Sequence, residues 1–261
     1  MKARRPQWVL LACALGLTAC PKRPFSFGPR GEITDPREAL AALAARSVKL
    51  HRLRSEISVS AHAARGGGST RGLVAAERPA RLHLELDDFF GSPAAILTTD
   101  GARLGYYEAS SNTFATGAVS PENLAKVIAI EIPMPGAVDL LFGDPQPLGT
   151  EVRGFFVDRA RYSYALLFAS GVGASERRQR IDLDTETLVP VGEAVEGWEP
   201  FQARLSDFEG DSGLRVPRRI DLDSPGGSVT LKYRELEVNP ALAADLFVPR
   251  PPPGAREDSL Q

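Results

Sequence analysis

Histidines, cysteines and closely spaced aspartates are the side chains of this 261-residue sequence best suited to act as ligands, nucleophiles or proton carriers. His51, His62 and His83 stand 11 and 21 residues apart, which suits no common metal-ligand spacing. Asp182/Asp184 and Asp221/Asp223 each sit in an Ile-Asp-Leu-Asp run. In an extended strand the alternation turns both carboxylates of a pair to one wet face, a surface rather than an acid/base dyad. The sequence contains no G-x-S-x-G nucleophile turn, no H-E-x-x-H helix and no zinc-type cysteine pair. Gly171-x-Gly173 lacks the rest of a dinucleotide fingerprint and reads as a turn. The sequence therefore predicts no catalytic residue, no metal and no cofactor.

The one side chain with a covalent role is Cys20. Lys2, Arg4 and Arg5 form a positive leader, and Trp8–Leu17 is an apolar run of 10 residues, too short to cross roughly 30 Å of hydrocarbon. It fits the core of a cleaved export signal over residues 1–19. Leu17-Thr18-Ala19-Cys20 is similar to the lipobox read by lipoprotein signal peptidase, in which the Cys thiol takes diacylglycerol with palmitate-type chains. Cys13 would leave with the signal, so the exported domain would hold no disulfide and stand on its core alone. Pro21 after the Cys, where Asp would retain a lipoprotein at the inner membrane, points to an outer-membrane anchor facing the periplasm. Without residues 1–19 the balance is 28 Lys+Arg against 33 Asp+Glu, with no basic bias toward nucleic acid.

Organisation along the chain follows from period and punctuation. Residues 20–34 contain Pro21, Pro24, Gly28, Pro29 and Gly31 and no apolar period, the composition of a flexible tether. Asp35-Pro36 with Glu38 opens a helix to about 49, and Ser120-Pro121 opens a second carrying Leu124, Val127 and Ile128. A short third helix over 136–142 carries Leu141 and Phe142, follows Met134 and stops at Gly143. Between and after these the period is two: Ile57, Val59 and Ala61, then Leu82, Leu84 and Leu86, then Ile96 before the Asp100-Gly101 hairpin signal, with further strands from 152 to 237. The prediction is a mainly β (α+β) domain over 35–249, an open antiparallel β-barrel of about eleven strands with a helical lid, followed by a Pro-rich disordered tail at 250–261. The basic runs Arg177-Arg178-Gln179-Arg180 and Arg215/Arg218/Arg219 read as solvated strand faces, with anionic headgroups as the alternative use.

Three stretches resemble the LolA/LolB family of lipoprotein-localisation proteins, closest to the membrane-anchored LolB. They are Arg81-Leu82-His83-Leu84-Glu85-Leu86-Asp87-Asp88-Phe89-Phe90-Gly91-Ser92, then Ile132-Pro133-Met134-Pro135 with Leu140-Leu141-Phe142-Gly143, and then Val238-Asn239-Pro240 with Phe247. The resemblance implies an apolar cavity for acyl chains between sheet and lid. Its walls would be Ile57, Val59, Leu82, Leu84, Leu86, Ile96, Leu124, Val127, Ile128, Met134, Leu141 and Phe142. It also implies that Phe89 and Phe90 form a protruding loop that enters the membrane.

The expected role is an outer-membrane receptor, acting as a monomer, that takes lipidated protein from a soluble periplasmic carrier and passes it to the bilayer. An envelope assembly or scaffold lipoprotein, or a carrier of another lipid, would use the same fold. Burial of acyl methylenes, worth roughly 0.8 kcal/mol each, would drive such binding without covalent chemistry.

Overall fold

Side-chain caps set the helix starts. The Asp35 carboxylate accepts the backbone N–H of Arg37 at 2.9 Å and Pro36 fills the first position of α1 (Pro36–Lys49). Ser120 Oγ accepts the N–H of Asn123 at 3.1 Å at the start of α2 (Pro121–Ile128). The chain is seen here in a computed structural model that describes residues 24–63, 66–128, 132–210 and 214–260. The expected export signal and Cys20 lie outside the described residues.

Six strands follow α1: β1 (Arg52–Ala63), β2 (Gly66–Glu77), β3 (Arg81–Asp87), β4 (Pro93–Thr99), β5 (Arg103–Glu108) and β6 (Thr113–Ala118). After α2 comes α3 (Met134–Leu141), and then β7 (Gly154–Asp158), β8 (Ser163–Ser170), β9 (Arg177–Asp184), β10 (Pro190–Gly197), β11 (Phe201–Glu209), β12 (Val216–Ser224), β13 (Gly227–Val238) and β14 (Arg256–Ser259). All belong to one sheet, ordered β14-β6-β5-β4-β3-β2-β1-β13-β12-β11-β10-β9-β8-β7. Among the described residues fourteen strands thus replace the roughly eleven expected, and the two edge strands do not pair, so the curled sheet stays open. The pairing of β13 with β1 joins the two halves of the chain. Asn239, just beyond β13, stitches this seam: its side chain accepts the N–H of His51 at 2.9 Å and donates to the carbonyl of Lys49 at 2.8 Å.

Two clusters cover the concave face. Ala39 and Leu43 of α1 pack with Tyr164, Leu166, Phe168, Ile181 and Leu183 of β8 and β9. The larger cluster joins α2 and α3 to β1–β5 and β10–β13. Gly143 ends α3 at φ +60°, and a Cβ there would overlap Pro217, so both conformation and space call for glycine.

Two segments expected to be loose are packed. Phe25 lies 5.8 Å from the ring of Tyr162, Phe27 stacks on Tyr164 at 5.9 Å, and Thr185 Oγ1 donates to the carbonyl of Ser26, so residues 24–33 run along the sheet. Aromatic contact area outweighs the Pro/Gly content there. The tail is β14, parallel to β6, with the Leu260 N–H donating to the Thr116 carbonyl at 2.8 Å. Its Arg-Glu-Asp-Ser side chains are exposed, and backbone pairing to a free sheet edge holds it.

Alternating strand direction sorts the turns onto two rims. One carries residues 88–92, 109–112, 171–176, 198–200 and 225–226; the opposite rim carries 78–80, 100–102, 159–162 and 185–189.

Candidate functional site: an apolar cavity beneath the helices

An apolar cavity of about 360 Å³ lies between the sheet and the two central helices. Val59 and Ala61 of β1, Val74 of β2, Leu82, Leu84 and Leu86 of β3 and Leu97 of β4 form one wall. Ile220 and Leu222 of β12 with Val229 and Leu231 of β13 form the other. Val127 of α2, Ile132, and Ala137, Leu140 and Leu141 of α3 form the roof. Every lining side chain is apolar, so a bound group would meet no side-chain charge or hydrogen-bonding group. An apolar cavity of about 150 Å³ takes a benzene-sized guest, so this one has room for on the order of fifteen carbons, one acyl chain.

The cavity opens toward the rim that carries residues 88–92. Along β1 Ile57 is buried while Val59 and Ala61 are half-buried, and along β3 Leu82 gives way to half-buried Leu84 and Leu86. The same gradient runs from Tyr233 to Val229 and from Ile220 to Leu222. At this rim Phe89 and Phe90 are 97% and 88% exposed. The Asp88 carboxylate accepts the N–H groups of Phe90 and Ser92 at 2.8 and 2.9 Å, which fixes the loop and projects both rings outward. Asp88 is thus the residue that ends the inward alternation of β3.

Of the residues expected in the wall, Val59, Leu82, Leu84, Leu86, Val127 and Leu141 line the cavity. Ile57, Leu124, Met134 and Phe142 are fully buried in the core around it. Ile128 closes α2, and its side chain lies outside the described part. Ile96 is a correction. The register pairs Leu84 with Leu97 and Glu85 with Ile96, which turns Leu97 inward and Ile96 to the convex face. A one-residue difference in phase exchanges the faces of the whole strand. Of the lining residues absent from the expected wall, Ile220, Leu222, Val229 and Leu231 belong to strands that reach the cavity only because β13 returns to β1.

A polar cluster fastens the end of the α3 roof. Tyr233 donates to the carbonyl of Leu141 at 2.7 Å and Arg46 to that of Phe142 at 3.1 Å. Arg78 Nη2 lies 2.6 Å from Asp144 and 3.3 Å from Asp139, and its guanidinium sits 4.8 Å from the centre of the Phe142 ring. Arg78 also donates to Ser47 Oγ. Burial pushes the Asp139 carboxyl up to about 7, against the pull of Arg78 and with the push of Asp144. Burial likewise pushes Asp144 up against Arg78, and lowers Arg46 to about 10 against Asp144. On the other side of α3 a cleft of about 200 Å³ holds Asp139, Arg177 and Glu193. Burial raises Glu193 to about 7, although Gln179 donates to it at 2.5 Å.

Of the remaining chemistry-bearing residues, His51 and His62 are exposed and most others are tied into the structure. Burial lowers the His83 imidazole, which contacts Thr98 Oγ1 at 3.1 Å. Asp182, expected on a wet face, is instead buried among Ser163, Arg161 and Arg180. Arg178 pairs with Glu196, Arg180 with Asp158 and Arg219 with Asp221. Among the described residues no three His, Cys, Asp or Glu side chains are placed to hold a metal, and no helix is long and apolar enough to cross a membrane.

Neither a protein-family model nor a curated protein matches the sequence. Solved structures do match the fold. A LolA superfamily protein from Nitrosomonas europaea superposes with a TM-score of 0.53 at 13% identity, over 80% of this chain and 97% of that one. A DUF1329 family protein from Desulfovibrio piger gives 0.57 at 12%, over 82% and 98%. A putative outer membrane lipoprotein-sorting protein domain from Vibrio parahaemolyticus gives 0.52 at 8%, over 81% and 97%. The fold is thus LolA-like, an open curled sheet roofed by helices.

Proposed function

We propose that this chain is a lipid-anchored envelope protein that shelters acyl chains in the cavity and hands lipidated cargo to a membrane, in the manner of a LolB-type receptor supplied by a soluble periplasmic carrier. The all-apolar cavity opening beside Phe89 and Phe90 is the observation that carries this reading. Burying about fifteen methylenes at roughly 0.8 kcal/mol each stabilises a bound chain by on the order of 12 kcal/mol, comparable with a bilayer. Handover therefore needs no covalent step, only a cavity mouth brought against lipid. The two-helix roof supplies the movable side, and the Arg78–Asp144 cluster holds its end.

Cys20 is the attachment point in this reading, and the outer membrane, faced from the periplasm, is the location. Cys20→Ala leaves the domain folded and the chain unprocessed or soluble, without its lipid anchor; a variant still anchored through a processed N-terminus would remove the lipid-anchor assignment. Mass spectrometry of ligand extracted from natively purified protein tests the cargo. Acylated peptides support the receptor role. A free single-chain lipid, matching the one-chain volume of the cavity, would make the protein a carrier of another lipid. An empty cavity would favour an assembly scaffold.

A further inference from the structure

The sheet rim toward which the cavity opens carries a second apolar tip, on β8–β11, beyond the strands that line the cavity and away from Phe89 and Phe90. Val172, in the turn between β8 and β9, is 84% exposed, and Trp198, between β10 and β11, is 53% exposed. The two turns are joined: the Trp198 N–H donates to the Glu176 carbonyl at 3.1 Å, and Glu176 in turn donates to Gly173 at 3.1 Å. With Phe89 and Phe90, these are large apolar side chains that the fold leaves in water at one rim.

We propose that the mouth docks on a lipid bilayer through two apolar arms, Phe89–Phe90 on one side and Val172–Trp198 on the other. This rests on the acyl-chain reading above. Five strand spacings separate β3 from β11 and seven separate it from β9, so Trp198 stands roughly 25 Å and Val172 roughly 35 Å from the first arm along the sheet. A protein partner needs a contiguous apolar core, whereas a bilayer plane receives separated tips together. Tryptophan suits that plane, with an apolar ring and a polar N–H at the headgroup level. The charges beside Trp198 are matched: Arg177 lies 3.7 Å from Glu199 and Arg178 3.3 Å from Glu196. The contact is therefore apolar rather than an attraction to anionic headgroups. The apolar walls of the cavity run out to this same rim, so a docked mouth offers an acyl chain a continuous path into lipid.

Phe25 is seated beside Tyr162 on the opposite rim. From there the five residues back to Cys20 reach at most about 18 Å, while the eight residues of β8 alone rise about 26 Å. With residues 24–33 docked, the arms meet a bilayer presented to the mouth; to meet the one holding Cys20, that segment must leave the sheet.

The test uses the chain from residue 20 with Cys20→Ala, in which Trp198 is the one tryptophan. It is mixed with phosphatidylcholine vesicles with and without bromine on the acyl chains. The proposal expects a blue shift and at least about a twofold loss of emission with bromolipid, little changed by about 0.5 M salt. Adding Val172→Glu reduces that quenching severalfold without changing the melting temperature. Equal emission with brominated and plain vesicles, from protein that co-sediments with them, overturns the proposal. A fatty-acid probe measured on the same sample reads the cavity separately. Probe bound without quenching removes the second arm and leaves the acyl-chain reading; quenching without probe does the reverse.

Discussion

Arg78 Nη2 lies 2.6 Å from Asp144 Oδ2, tying the turn between β2 and β3 to the residue just past the roof helix α3. Both partners are withdrawn from solvent, Asp144 completely. Removing Arg78 leaves Asp144 with only Arg46, 3.6 Å away, to balance its charge in a medium that solvates it poorly. Arg78→Leu is expected to cost about 3–5 kcal/mol of folding stability in denaturant titrations. A loss below about 1 kcal/mol would mean that the pair does not hold the roof.

Asp139 and Glu193, on the two sides of the cleft behind α3, give the fold a pH dependence. Both titrate near 4 in an unfolded chain and near 7 here, because burial disfavours their charged forms. Between these values the folded chain holds protons that the unfolded chain has released. Their contribution is thus complete below about pH 4 and declines as pH rises to about 7, by on the order of 1 kcal/mol or more per group. Melting temperatures taken from pH 5 to 8 should fall more steeply for the native chain than for Asp139→Asn or Glu193→Gln. Parallel curves would contradict the raised values.

Leu53 and Leu84 are both leucines of the concave face, but Leu53 is buried in the core and Leu84 borders the cavity. Leu53→Ala should cost about 2–5 kcal/mol, since it makes a new hole in packed core. Leu84→Ala widens an existing one and should cost less than half as much. Equal losses in chemical denaturation would show that the space beside Leu84 is filled in solution.

Phe90→Glu should leave the melting temperature unchanged, because the ring is 88% exposed and its loop is held by Asp88. Delivery of lipidated cargo to vesicles should fall severalfold. Full transfer by this variant would take the loop out of the membrane step, and a large drop in melting temperature would return Phe90 to the core.

The helices were legible because their caps are local: Asp35-Pro36, Ser120-Pro121 and Gly143 fix the ends within one turn. The phase of β3 was legible in Leu82, Leu84 and Leu86, where polar residues intervene. It failed in β4, where Ile96 and Leu97 are adjacent and only pairing with β3 decides which faces inward. β6 escaped notice because Ala-Thr-Gly-Ala offers no apolar alternation, and β14 because its charged side chains say nothing about a backbone-held edge. The second cavity wall was hidden for a topological reason. Leu222 and Leu231 show ordinary alternation, but no local signal says that β13 lies beside β1.

Equilibrium binding of a fluorescent fatty acid to the native chain and to Leu222→Trp tests the central claim most directly. The added ring fills the half-buried space between β12 and the roof. The account predicts that the native chain binds the probe and that Leu222→Trp, equally stable, loses at least about tenfold in affinity, or roughly 1.4 kcal/mol. No binding by the native chain, or undiminished binding by the filled variant, would contradict it.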